Sequence, residues 1–398
     1  MGRRLALCAV VGLVGCGGSS GPARHVELTA TPARALIDVP VHIRVSGLRP
    51  DDHVRVSATT DDAAGGRWAS AATFTANDRG VVDLARAPAR DGTYAGVDGD
   101  GLLWSLRPAG GRRGLFFAPR IGESALRLSV SVAGHVAAST VVRRGTTSAD
   151  VHEHQLTVRR DGMYGAWFSG RRSNRVPIVL IGGSEGGLTP LTDAALLAAH
   201  GHPALALAYF RAPGLPRELA RIPLEYFERA LAWVRTRTGA RRVALLGASR
   251  GGEGVLVIAS RFPRLVAGVV ALVPGSQFGP SSNPALRDVP AWTIGGRPLP
   301  LYEPIPVERI RAPVLTASGG RDAVWPSAVF ARQIQGRLAR SRFAHPDFTY
   351  PRAGHGLSTL PYLPGLPQAL SGGTPAADEA ARVDLWPRVL RFLDALRG

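Results

Sequence analysis

The chain has 398 residues, 45% hydrophobic and 20% charged, which is a globular composition and enough length for two domains. The net charge is +18, yet all 48 basic residues are arginine and lysine is absent. No basic run is interleaved with aromatics or follows a predicted helix, so the charge reads as GC-rich coding bias and nucleic-acid binding is excluded as an expectation.

Arg3 and Arg4 precede an apolar stretch, Leu5 to Val14, too short to span a bilayer and right for the core of a signal peptide. It ends in Leu13-Val14-Gly15-Cys16, followed by Gly17-Gly18-Ser19-Ser20. That tetrapeptide resembles a bacterial lipoprotein signal. The resemblance implies cleavage after residue 15, lipidation of Cys16, and a body held at a membrane face by a tether over 16–24. An ordinary secretory signal with an incidental cysteine is the alternative. Cys8 and Cys16 are the only cysteines, so a mature chain has no disulfide and no thiol nucleophile, and any catalysis must use oxygen.

From 25 to 148 the pattern is all-β. Val26–Ala30, Val41–Val45 and Val54–Ala58 alternate apolar and polar, as do runs at 126–132 and 136–142, with turn-rich stretches such as Arg49-Pro50-Asp51-Asp52 between them. This spacing predicts an immunoglobulin-like β-sandwich. It carries no evident constellation of ionisable residues, and its expected role is to pack against and shape the neighbouring site.

From 151 to 398 the character changes. Val176–Ile181, Ala204–Tyr209, Val243–Leu246, Val266–Val273 and Pro313–Ala317 are short and almost wholly apolar. Helical segments separate several of them. In Leu224–Arg237, Leu224, Phe227, Leu231 and Val234 make one apolar face. Strands apolar on both faces and alternating with helices predict a mostly parallel, doubly wound sheet covered on both sides. A last helix, about 375–396, contains Pro387, where a kink is expected.

The chemistry concentrates in Val243-Ala244-Leu245-Leu246-Gly247-Ala248-Ser249-Arg250-Gly251-Gly252-Glu253. G-x-S-x-G after an apolar strand and at a helix start is the pattern of a nucleophile elbow. Ser249 would project above the sheet at a helix N-terminus, where free N–H groups favour developing negative charge. In the expected order nucleophile, acid, histidine, only His345 and His355 follow Ser249. His355 lies in a glycine-flanked loop after the strand-like Asp347–Tyr350, at the edge where α/β sheets bind ligands. His345 precedes that strand and is expected on the surface at the opposite edge. The candidate acids are Asp288, Glu303, Glu308, Asp322 and Asp347. Asp322 follows strand Val314–Ala317 and the turn Ser318-Gly319-Gly320-Arg321, which favours it over Glu303 and Asp288. The amide of Arg250 and one from Ser184 or Glu185, in Gly182-Gly183-Ser184-Glu185-Gly186-Gly187, are the expected oxyanion donors. That loop lacks a phosphate-binding Lys-Ser/Thr ending and a dinucleotide fingerprint. No metal and no cofactor are expected. The long stretches 274–311 and 356–375 are expected to act as pocket walls or to pack the two domains together.

Taken together these residues resemble the acyl-CoA thioesterase and bile-acid-CoA:amino-acid N-acyltransferase family. Gly92-Thr93-Tyr94-Ala95-Gly96 and Gly101-Leu102-Leu103-Trp104-Ser105-Leu106 look like its N-terminal module. Ala206-Leu207-Ala208-Tyr209-Phe210, Leu224-Glu225-Tyr226-Phe227, Ser249–Glu253, Gly354-His355 and Val383-Asp384-Leu385-Trp386 look like its hydrolase domain. The resemblance implies an α/β-hydrolase fold, Ser249, Asp322 and His355 as a triad, and an acyl thioester or ester as the small-molecule substrate. Amino-acid N-acyltransferases of the family carry cysteine at the elbow, so Ser249 favours hydrolysis. Two features depart from the family: the export signal, and Glu185, an anionic residue where glycine is expected. A dienelactone-hydrolase-like esterase acting on oxygen esters and a lipid-binding lipoprotein are the competing readings.

Overall fold

The computed structural model describes residues 25–111, 121–170, 173 and 175–397. The leader, the tether and Cys16 lie outside the described residues.

The N-terminal part forms two sheets. Glu27–Thr31, His42–Ser46 and Val82–Asp83 make one; His53–Asp61, Arg67–Thr75, Glu123–Val132 and His135–Gly145 are the main strands of the other. Alternation builds their shared core: in His53–Asp61, Val54, Val56 and Ala58 are buried while His53 and Arg55 face solvent. Arg67–Thr75 escapes a reading by alternation. Trp68, Ser70, Ala72 and Phe74 are buried on one face, but polar Ser70 sits inside and Ala69 and Ala71 lie on the other face, so the residue types do not spell out the period of two.

The C-terminal part is built on an eight-stranded sheet, with a small three-stranded one of Ile222–Pro223, Trp292–Ile294 and Arg297–Pro298 beside it. The order of the large sheet is His152–Leu156, Tyr164–Ser169, Ala204–Ala208, Ile178–Ile181, Val243–Ala248, Val266–Leu272, Val314–Gly319 and Asp347–Tyr350. The first two strands run antiparallel to their neighbours, and every later pairing is parallel. The parallel strands 178–181, 204–208 and 266–272 are buried at every residue, consistent with helices on both faces. Among those helices are Leu191–Ala199, Leu224–Thr238, Arg250–Arg261, Ser327–Leu338 and Pro375–Asp394. Leu224, Phe227, Leu231 and Val234 are all buried, and the last helix is assigned as one element through Pro387. Among the described residues no helix is long and apolar enough to cross a membrane.

The chain order reverses between strands 178–181 and 243–248. After 178–181 it winds to 204–208 on one side, then returns to place 243–248 on the other. Ile181 pairs with Gly247, so the glycine-rich loop and the elbow leave the sheet side by side. Such a switch point opens a crevice at the C-terminal edge.

The sandwich does contribute to a constellation of ionisable residues, one that is not evident in the sequence. Asp38, Asp100 and Arg144 meet Glu379 and Arg382 of the last helix in a largely buried cluster. These residues are scattered over about 340 positions and no local pattern marks them. Asp38 accepts hydrogen bonds from His200 at 2.6 Å and from the Trp386 indole at 2.7 Å, joining sandwich to hydrolase. The segment 356–375 also serves that junction, since Tyr362 packs into the sandwich core.

Candidate active site

Ser249 follows strand Val243–Ala248 and precedes helix Arg250–Arg261, with φ 57° and ψ −123°. Positive φ is costly for a residue with a Cβ and persists only where the surroundings enforce it. Here the glycines do so. A Cβ on Gly247 would lie 2.3 Å from the Gly251 carbonyl oxygen, and one on Gly251 would lie 2.5 Å from that of Ile181. Neither position has room for a side chain, so the turn can be this sharp only with glycine on both sides of Ser249. The Ser249 amide donates to the Leu272 carbonyl at 2.9 Å, pinning the turn to the next strand.

Asp322 and His355 lie just beyond the ends of the last two strands of the sheet, Val314–Gly319 and Asp347–Tyr350. His355 Nδ1 and Asp322 Oδ2 are 2.8 Å apart, with the carboxylate side chain fully buried and the imidazole 7% exposed. Asp322 Oδ1 accepts from the amides of Val324 and Trp325, at 2.9 and 3.3 Å. The carboxylate is therefore held on both oxygens. Trp325 places its ring edge-on to the imidazole at 5.9 Å and donates its indole N–H to the Val273 carbonyl. Ser249, Asp322 and His355 thus all lie at the C-terminal edge of the parallel sheet.

The histidine loop has a brace that sequence reasoning did not mark. Asp378 Oδ1 accepts from the Gly354 amide at 2.6 Å, and its other oxygen accepts from the Ser371 hydroxyl at 2.8 Å. Ser371 in turn accepts from the Gly356 amide at 2.6 Å. The residues on either side of His355 are thus tied to the first turns of the last helix. Burial pushes the Asp378 carboxyl up, against the pull of the Gly354 amide and Ser371.

Arg250 is the first residue of its helix, so its amide has no partner within that helix. Its side chain turns away into the protein. It pairs with the buried Glu253 and donates to the Pro280 carbonyl at 2.5 Å. Glu253 also accepts from the Gly279 amide at 2.9 Å and the Trp292 indole at 2.7 Å. Trp292 stacks on Tyr209, whose hydroxyl donates to the Gly182 carbonyl at 2.9 Å. One buried network therefore joins the elbow, the segment 274–311 and the glycine-rich loop. That segment is well packed where it joins, with Trp292 fully buried, while Tyr302 is exposed.

Ser184 and Glu185 form an exposed turn in the glycine-rich loop. The Glu185 carboxylate folds back, accepting from the Gly183 amide and the Thr189 hydroxyl, both at 2.9 Å. It thereby occupies an amide of the loop. Of the other candidates, Asp288 is exposed beside Arg287 and Glu303 is exposed, and neither pairs with His355. His345 lies at the opposite edge but is not a surface residue. It is half-buried, its Nδ1 accepts from the Val314 amide at 3.1 Å, and burial lowers its pKa.

Comparison with known proteins agrees with this architecture. Residues 38–158 match the acyl-CoA thioester hydrolase/BAAT N-terminal region, 300–396 the BAAT/acyl-CoA thioester hydrolase C terminal, and 211–293 the alpha/beta hydrolase fold. Acyl-coenzyme A thioesterase 6 of Mus musculus is 30% identical over 412 residues, spanning 92% of this chain and 95% of its own. Acyl-coenzyme A amino acid N-acyltransferase 2 of Rattus norvegicus is 30% identical over 92% of this chain and 97% of its own. Mitochondrial acyl-coenzyme A thioesterase 2 of Homo sapiens is 31% identical over 93% of this chain and 84% of its own. With whole-chain matches of this kind laid over an α/β-hydrolase sheet, the chain belongs to the acyl-CoA thioesterase and bile-acid-CoA:amino-acid N-acyltransferase family.

Proposed function

We propose that this protein is a serine-dependent acyl-thioester hydrolase acting through an acyl-enzyme on Ser249. The observation that carries the reading is the strained Ser249 elbow at the same sheet edge as a buried His355–Asp322 pair 2.8 Å apart. The Ser249 hydroxyl attacks the acyl carbonyl while His355 Nε2 takes its proton. Asp322 holds the Nδ1–H and stabilises the imidazolium. The oxyanion is met by the Arg250 amide and an amide of Ser184 or Glu185, since the Gly183 amide is taken by Glu185. As the tetrahedral intermediate collapses the C–S bond breaks and the thiol leaves with the proton from His355. Water then attacks the ester, passing one proton through His355 to Ser249 Oγ and releasing the acid.

A thioester suits this site because its carbonyl is less resonance-stabilised than that of an oxygen ester. The test is an acyl-CoA series beside oxygen esters of the same acyl groups, with the full chain and with Ser249→Ala. Preference for thioesters and a dead variant are expected. Turnover of oxygen esters alone would replace the thioesterase reading with an esterase; normal turnover by Ser249→Ala would end both.

We further propose that the protein is exported and held by lipid on Cys16 at the outer face of a bacterial membrane. This rests on Leu13-Val14-Gly15-Cys16 after a short apolar run, and on an arginine-rich surface attracted to anionic headgroups. Incorporation of labelled fatty acid that disappears in Cys16→Ala is the expected result; equal labelling would refute it.

A further inference from the structure

Glu185 is the feature that this mechanism leaves unexplained. Its carboxylate is held by two neutral donors, the Gly183 amide and the Thr189 hydroxyl. The nearby guanidinium of Arg250 is committed to Glu253 and Pro280. Arg211 reaches only the Glu185 carbonyl, at 3.5 Å, and pairs with Glu218. Among the described residues no cation pairs with the Glu185 carboxylate. The carboxylate also lies near Ser249. The point where a Gly183 Cβ would stand is 2.8 Å from Glu185 Oε2 and 3.3 Å from Ser249 Cβ. A carboxylate without a cationic partner is thus held near the side chain that would carry the acyl group.

We propose that Glu185 determines acceptor specificity: its carboxylate repels anionic nucleophiles from the Ser249 acyl-enzyme and reserves that intermediate for water. The inference rests on the acyl-enzyme reading above. Water and an amine compete for the same ester carbonyl. With water, a C–O bond forms, the bond to Ser249 Oγ breaks, and the acid leaves. With an amine, a C–N bond forms, the same bond breaks, one proton passes through His355 to Oγ, and an amide leaves. A free amino acid at neutral pH carries a carboxylate, which must approach within a few ångströms of that amine. Like charges this close, in a partly solvated cleft, slow an encounter by about tenfold. Neutral water meets no such barrier. The relatives of this chain include both thioesterases and an amino acid N-acyltransferase, so the same framework is associated with both outcomes.

The test is partitioning of the acyl-enzyme formed from octanoyl-CoA, read as the ratio of octanoyl amide to octanoic acid. Glycine, whose reactive free-amine form is an anion, is compared with glycinamide, whose free-amine form is neutral. Full-length wild type is compared with Glu185→Gln, which keeps an acceptor oxygen for Gly183 and Thr189 and removes the charge. The amide-to-acid ratio with glycine is expected to rise about tenfold in the variant, and that with glycinamide to change less than about twofold. In the wild type itself, raising salt should narrow the gap between the two acceptors, because an exposed charge is screened. A structural role would not produce that salt dependence. Equal changes for both amines, no change for glycine, or no amide with either amine in either protein would overturn the proposal. Absence of an octanoyl adduct on wild-type Ser249 by mass spectrometry would instead show that the acyl-enzyme reading itself had failed.

Discussion

Two of the histidine–aspartate pairs around the hydrolase sheet, almost equal in length, lie at its opposite edges. His355 and Asp322 are 2.8 Å apart at the C-terminal edge, and His200 and Asp38 are 2.6 Å apart at the other. In both, the carboxylate is nearly or fully buried, at 0% and 3% exposure. Their surroundings differ. The first pair shares its edge with Ser249 and is oriented by backbone amides and Trp325. The second caps helix Leu191–Ala199, takes its aspartate from the sandwich, and shares it with Trp386 of the last helix. It has the chemistry of an acid–base device and the placement of a bolt between domains. On the proposed mechanism, what separates a catalytic pair from a structural one is the edge of the sheet it occupies and what faces it.

Substitutions can break this comparison, and the largest effect is expected at Ser249, the proposed nucleophile. Ser249→Ala should lower kcat by about 10^6-fold with an unchanged far-ultraviolet circular dichroism spectrum. A loss of only a few fold would remove Ser249 from the chemistry. Asp322→Asn should cost about 10^4-fold in kcat by disturbing the imidazole tautomer, while moving Tm little. Asp38→Ala should reverse that pattern. Turnover should stay within about threefold, but leaving His200 and the Trp386 indole unpaired should destabilise the chain by about 2 kcal/mol in urea unfolding. If the two aspartate variants lost activity alike, the distinction between site and bolt would fail.

A subtler difference lies within the seam. Burial raises the Asp38 carboxyl, but its bond and charge interaction with His200, with help from Trp386, more than offset this and hold it below the usual range. Asp100 goes the other way. Burial first, then Glu379 and Asp98, push it from 3.8 to about 7, against the pull of Arg144. A depressed carboxyl contributes stability above its unfolded pKa and loses it as pH falls through the folded value. A raised one has its stabilising contribution in acid and loses it as pH rises from about 4 to about 7. Asp100→Asn removes that second loss. The variant should therefore gain on the wild type by about 2 kcal/mol between pH 5 and pH 8. Parallel stability curves over that range would mean that Asp100 ionises there without penalty.

Much of this was legible in sequence because the physics is local. Strands apolar on both faces signal a covered parallel sheet, and Leu224–Thr238 declares its buried stripe at helical spacing. The glycines around Ser249 mark a turn too tight for side chains. Where small residues blur the period, as in Arg67–Thr75, the reading loses its signal. The brace of Asp378 and Ser371 on the His355 loop carries no sequence signature. Each is an ordinary polar residue on or beside a helix whose partner is chosen by the fold.

The sequence by itself determined the class of sheet, the elbow, and which histidine and acid stand at strand ends, because backbone sterics and hydrophobic period act over a few residues. Only the tertiary structure decided that Asp322 meets His355, that Asp38 bolts His200 and Trp386, and where the charge of Glu185 points. Those contacts join atoms from separate elements, and burial away from water is what gives them weight.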